Sequence, residues 1–192
     1  MLKACDNSCV KIQHLHSQFS KQWLKKPMLS GAYRKWLIDD GSLTARLKAR
    51  YSDFSVKPVL LRSANAFIDE SALLCLKANQ YAQIREVILK GNNQPVVFAH
   101  SVLPYASLRG AWHGLGKLGS KPLGATLFAN PVIKRTPLVF KKLSRHHPIF
   151  KRVEKHLQKV PKTLWARRSI FSLGCAKILV TEVYLEELLK HK

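Results

Sequence analysis

Tyr81-Ala-Gln-Ile-Arg-Glu-Val-Ile-Leu-Lys90, followed by Gly91-Asn-Asn-Gln-Pro95 and Val96-Val-Phe-Ala-His-Ser-Val-Leu103, decides the fold of this chain. The flanks are rich in β-branched and large apolar residues, and the centre is turn chemistry. Together they predict a β-hairpin, which Pro104 closes. Strand periodicity places Gln83, Arg85, Val87 and Leu89 on one face. A second hairpin is expected from Trp165–Leu173 and Lys177–Leu185 about Gly174-Cys175-Ala176, with Glu182 sharing a face with Ile178, Val180 and Tyr184. Further strands are read at Phe54–Arg62, where Pro58 signals an edge or a bulge, and at Leu138–Leu143. Between them lie helical stretches. Tyr33, Trp36 and Leu37 fall at helical spacing, and Ser42 caps a helix from Leu43 to about Tyr51. Short helices are expected at 71–78 and 107–118, the latter interrupted by glycine. A basic amphipathic helix is expected at 145–159. Hairpins separated by helices, without βαβ alternation, define an α+β fold with a mainly antiparallel sheet. We expect a loosely ordered or shortly helical lead-in over 1–30 and one domain over 31–188.

Two strand residues contradict their surroundings. Glu182 sits where Val or Ile would be expected, and Arg85 interrupts an otherwise apolar strand. A buried charge is costly unless paired or hydrogen-bonded, so one cation and one carboxylate inside strands are candidates for the two ends of a polar ligand site. Two other readings stay open at this level. Glu182 can face solvent on a one-sided sheet, and Arg85 can pair with Glu182 or Glu86.

The 192 residues suffice for one core, and a hydrophobic fraction of 46% is that of a globular chain. No apolar run reaches the length of a membrane span, and the N-terminus lacks an apolar signal core, so a cytoplasmic protein is expected. Cys5, Cys9, Cys75 and Cys175 form no Cys-x-x-Cys pair, and reduced cysteines are the expectation. Cys5 and Cys9 with His14 and His16 form the one grouping with any metal-binding character; no metal site is expected. The net charge is +22, from 33 Lys and Arg against 11 Asp and Glu. Twelve of the basic residues lie between Lys134 and Arg168, where Glu154 is the one acid. Such a charge favours anionic partners, an anionic membrane surface among them, with nucleic acid the weaker prospect because aromatic residues are sparse there.

Familiar catalytic signatures are missing. There is no phosphate-binding Gly-x-x-x-x-Gly-Lys-Ser/Thr loop, no Gly-x-Ser-x-Gly elbow and no zinc-protease helix around His146-His147. Any chemistry therefore has to use arginine, carboxylate and backbone groups, without a cofactor.

Four blocks, in order, resemble the chorismate pyruvate-lyase family. They are Trp36-Leu-Ile-Asp-Asp-Gly-Ser-Leu-Thr-Ala-Arg-Leu47; Arg85-Glu-Val-Ile-Leu with Pro95 and Ser101-Val-Leu-Pro104; Leu118-Gly-Ser-Lys-Pro-Leu-Gly-Ala-Thr-Leu-Phe128; and Leu164-Trp-Ala-Arg-Arg-Ser169 with Leu179-Val-Thr-Glu-Val-Tyr-Leu185. The resemblance implies a cofactor-free elimination of pyruvate from chorismate to give 4-hydroxybenzoate for ubiquinone biosynthesis; a monomer is expected. It implies that Arg85 pairs with the aromatic carboxylate and that Glu182 lies near the ring hydroxyl. Backbone groups at Leu43 and Leu123 would help hold the ligand, and Arg135 would take the enolpyruvyl carboxylate. The chain departs from the family pattern at His100, where an arginine is usual, and in a longer, more basic stretch at about 141–162. Two other classes compete: a non-catalytic domain of the same fold that binds a small aromatic acid, and a basic protein that binds anionic surfaces or nucleic acid. No helix-turn-helix pattern is read before residue 36.

Overall fold

The computed structural model describes residues 23–77 and 79–190. Most of the expected lead-in, with Cys5, Cys9, His14 and His16, lies outside the described residues. A seven-stranded sheet organises the rest. Its strands are β1 (Phe54–Asn65), β2 (Tyr81–Gly91), β3 (Gln94–Pro104), β4 (Lys134–Arg135), β5 (Val139–Ser144), β6 (Thr163–Leu173) and β7 (Ala176–Tyr184). They run in the order β1-β2-β3-β7-β6-β4, with β5 beside β4 on the same neighbour β6, and every pairing is antiparallel. The helices are α1 (Arg34–Leu37), α2 (Leu43–Arg50), α3 (Ile68–Leu74), α4 (Tyr105–Arg109), α5 (Leu123–Ala129), α6 (Pro148–Val153) and α7 (Glu187–Lys190). The α+β architecture read from the sequence is the observed one.

Both expected hairpins form. Asn92 and Asn93 at the β2–β3 turn have φ of 49° and 63°, the left-handed pair that matches strand twist and that asparagine tolerates. Gly174, with φ of 59°, does the same work at the β6–β7 turn. β1 is an edge strand whose register shifts between Pro58 and Leu60, as the proline requires. Ser42 caps α2, its Oγ accepting from the Ala45 N–H.

Several helices differ from their expected extents. The helix expected at 71–78 begins at Ile68, because Glu70 accepts the Phe67 N–H and fixes the first turn; it ends at Cys75 in the left-handed region. The 145–159 stretch is helical from Pro148 to Val153, followed by a short 3-10 turn at Glu154–His156. It is no loose appendage, since Ile149, Phe150 and Val153 are buried in the core. The expectation of reduced cysteines is corrected for Cys75 and Cys175, both of which are disulfide-bonded.

Apolar clusters cover both faces of the sheet. On the front, one cluster joins Trp36, Leu43 and Leu47 to Val87, Val97 and Tyr184. A second front cluster joins Trp112, Leu123 and Leu127 to Leu103, Phe171 and Ile178. On the rear, α6 packs on Ile88, Phe98, Ala166 and Val183, and α3 packs near Ile84, Val102 and Leu179. Each large apolar side chain so buried contributes about 1.5–3 kcal/mol. Among the described residues no helix is long and apolar enough to cross a membrane.

Candidate active site

The polar gap between the two front clusters contains the charged strand residues. Register places Arg85, Ser101, Val180 and Ser169 in one row across β2, β3, β7 and β6. The next row on the same face holds Val87, Ala99, Glu182 and Arg167. Arg85 and Glu182 therefore share the front face, two strands and two residues apart, or about 12 Å between Cα atoms by strand spacing. The residues between them, Ser101, Ala99 and Val180, are small.

Arg85 is 5% exposed. Its Nη2 donates to the carbonyls of Gly119 and Lys121, each at 2.9 Å. Those carbonyls belong to the segment between α4 and α5, which Trp112 anchors by donating its Nε1–H to Ala176 O at 3.1 Å. Among the described residues no carboxylate pairs with Arg85. Burial pulls its pKa below the usual guanidinium value. The adjacent Glu86 points to the rear face, which removes the Arg85–Glu86 pairing that the sequence left open.

Glu182 is paired, but with Arg167 rather than Arg85. Arg167 Nε donates to Glu182 Oε2 at 2.5 Å, and its Nη1 donates to the carbonyls of Trp36 and Asp39. The guanidinium is thereby locked against α1. Burial works against the Arg167 charge, and Glu182 and Tyr184 overcome it, so the pKa lies above its ordinary value. Tyr184 donates its hydroxyl to Trp36 O at 3.2 Å and, fully buried, has a raised pKa.

Arg135 approaches from the far edge. β4 is only two residues long, but it aims the side chain across the front face. Nε donates to Ser169 Oγ at 2.8 Å and Nη1 to Asp40 O at 2.7 Å. The guanidinium lies over the rings of Phe171 and Phe128, 5.1 and 5.4 Å from their centroids. Burial lowers its pKa, and Glu182 partly opposes that shift.

Leu43 and Leu123 are the first residues of α2 and α5, and both are buried. The starts of these helices touch through Gly124, where a Cβ would stand 3.0 Å from Thr44 Oγ1. Backbone N–H groups at a helix start have no partner within the helix, and in α2 Ser42 Oγ takes that of Ala45. All five residues named from the sequence thus surround one region of the front face. Arg167 was missed. The signal was available, since it is a charge inside an apolar strand just as Arg85 is.

The rear face holds a second buried ionic group. His100 Nδ1 lies 3.0 Å from Glu86 Oε1, and Nε2 lies 3.2 Å from Glu70 Oε1. Arg152 grips Glu86 with Nε and Nη2, and Arg168 Nη1 meets Asp69 Oδ2 at 2.6 Å. A carboxylate beside each ring nitrogen favours the doubly protonated imidazole. Burial opposes that charge, but Glu70 and Glu86 raise the His100 pKa to about 9. Among the described residues no group of His, Cys, Asp and Glu is arranged to hold a metal ion.

The front face thus gathers three guanidiniums, one of them paired with Glu182, against the sheet. The chorismate lyase family model matches residues 20–192, and the chain belongs to that family. A probable chorismate pyruvate-lyase from Nitrosomonas europaea is 51% identical over 150 residues, covering 78% of this chain and 84% of the relative. One from Nitrosospira multiformis is 50% identical over 163 residues, covering 84% and 91%. Among solved structures, the effector domain of PhnF from Mycobacterium smegmatis superposes with a TM-score of 0.53 at 15% identity, covering 77% of this chain and 90% of that one. The possible transcriptional regulator YydK from Bacillus subtilis superposes with a TM-score of 0.52 at 11% identity, covering 94% of each chain. Those likenesses concern the fold alone.

Proposed function

We propose that this protein is a carbon–oxygen lyase that converts chorismate to 4-hydroxybenzoate and pyruvate on the front face of the sheet. The observation that carries the site is Arg85, a buried cation with no carboxylate partner among the described residues, on the same face as the Arg167–Glu182 pair. An uncompensated buried cation favours an anionic ligand strongly. Chorismate brings two carboxylates. The one on the ring pairs with Arg85, and the one on the enolpyruvyl ether pairs with Arg135. Glu182, held at Oε2 by Arg167, offers Oε1 to the ring hydroxyl. Backbone groups at Leu43 and Leu123 complete the roof.

The reaction balances within the substrate. A ring carbon loses a proton, and the C–H electrons form the new aromatic double bond. The ether C–O bond breaks with its electrons leaving on enolpyruvate, which gains a proton at its methylene carbon to become pyruvate. Aromatisation supplies the driving force, and no oxidant is called for. The enzyme's share is to fix the reactive conformer and exclude water.

A non-catalytic aromatic-acid-binding domain is less favoured, because the relatives that match most of the chain are named as lyases. The product would supply ubiquinone biosynthesis, in the cytoplasm, from a monomer whose catalytic domain spans about 31–188 and includes the basic 141–162 stretch. The net charge of +22 supports contact with anionic membrane surfaces. The test is incubation of purified protein with chorismate and quantification of both products. Equimolar 4-hydroxybenzoate and pyruvate, abolished by Arg85→Ala, is the expected result. No product from folded protein would defeat the proposal.

A further inference from the structure

Beside the front-face site the surface carries apolar side chains that the fold leaves uncovered. Leu29 is 96% exposed, Met28 68%, Ile38 50% and Phe128 42%. Leu29 has φ of 55°, a left-handed backbone that leucine seldom adopts, so the turn is strained while it holds an apolar side chain in solvent. The turn is tied by Ser30, whose Oγ donates to Pro27 O at 2.9 Å. These residues are not scattered. Ile38 and Phe128 line one groove together with Lys25, Lys26, Arg34 and Arg135, and Asp40 is its one acid among the described residues. Met28 and Leu29 follow Pro27 at its rim. The groove reaches Arg135, which also bonds Ser169 on the floor of the site.

We propose that this surface is a docking face for an anionic lipid bilayer: Met28, Leu29, Ile38 and Phe128 enter the headgroup boundary while Lys25, Lys26, Arg34 and Lys35 meet the lipid phosphates. The inference rests on the membrane contact proposed above and adds the surface that makes it. A cluster of exposed apolar side chains ringed by cations is the chemistry that an anionic interface selects. The basic α6 stretch is the contrasting surface. Its cations are as numerous, but its large apolar residues Ile149, Phe150 and Val153 are buried. It offers charge without an insertable group.

The test is co-sedimentation of the full chain with phosphatidylcholine vesicles, with and without phosphatidylglycerol. Wild type is expected to sediment only with the anionic vesicles. Met28→Ser/Leu29→Asn is expected to weaken binding about tenfold, and Lys25→Gln/Lys26→Gln by a similar factor. Lys151→Gln/Lys155→Gln, on α6 and the 3-10 turn that follows it, removes the same charge and is expected to stay within about twofold of wild type. Unchanged melting temperature and chorismate turnover in each variant would show that the fold is intact. If wild type binds but the Met28/Leu29 variant binds equally well, or the α6 variant loses as much as Lys25→Gln/Lys26→Gln, the docking face is wrong while membrane contact stands. No vesicle binding by wild type overturns both. A dimer in sedimentation equilibrium that Met28→Ser/Leu29→Asn dissolves would assign the face to a second copy and overturn the proposal.

Discussion

The two faces of the sheet solve the problem of buried charge differently. On the rear, Glu70, Glu86 and Asp69 meet His100, Arg152 and Arg168, three acids against three cations when His100 is protonated. On the front, Glu182 is ion-paired with Arg167, while Arg85 and Arg135 donate to carbonyl and hydroxyl oxygens and form no ion pair among the described residues. The rear charges are ion-paired, whereas two of the front guanidiniums form no ion pair among the described residues and are available to the two carboxylates of a dianion. Both groups interrupt the same strands: Arg85 and Glu86 are neighbours on β2, as are Arg167 and Arg168 on β6. The lesson is that buried charge alone does not mark a site. Buried charge left without a partner does.

Each side of the contrast can be broken separately. The largest effect is expected at the rear, where Glu86→Ala leaves His100 and Arg152 short of a counter-charge and should cost about 3–5 kcal/mol of stability by urea unfolding. On the front, Arg85→Met should lower kcat/KM at least about 100-fold, with a melting temperature no lower than wild type, because an uncompensated cation has been removed. Glu182→Gln should keep the fold and lower kcat about tenfold, with KM changed less. The smallest effect is a pH dependence. Folding raises the His100 pKa from 6.5 to about 9, so its stabilisation is complete below the lower value and is lost as pH rises through the upper one. Wild-type stability should fall over that window, and His100→Arg, which cannot lose its proton there, should flatten the fall.

Much of this was legible in the chain. Asn92-Asn93 and Gly174 announce the two hairpins, Ser42 announces α2, and period two puts Arg85 and Glu182 each on a definite face. Their meeting on one face required the β3–β7 pairing, a long-range contact that no local pattern reveals. The Arg167–Glu182 pair lies inside the predicted β6–β7 hairpin, where the two residues stand directly opposite, so it was legible in the sequence but not read. β4 is too short to show periodicity, yet it delivers Arg135. The rear group was invisible because Glu70 reaches His100 from α3, thirty residues earlier in the chain. The amphipathic pattern of the basic stretch was legible too, since Ile149, Phe150 and Val153 fall at helical spacing and are buried in the core.

Titration of 4-hydroxybenzoate by calorimetry tests the front–rear distinction most directly. We predict binding by wild type, affinity weakened at least about 100-fold in Arg85→Met, and affinity within about threefold of wild type in His100→Arg. Equal binding by wild type and Arg85→Met, or an equal loss in His100→Arg, would contradict the assignment of the front face as the site.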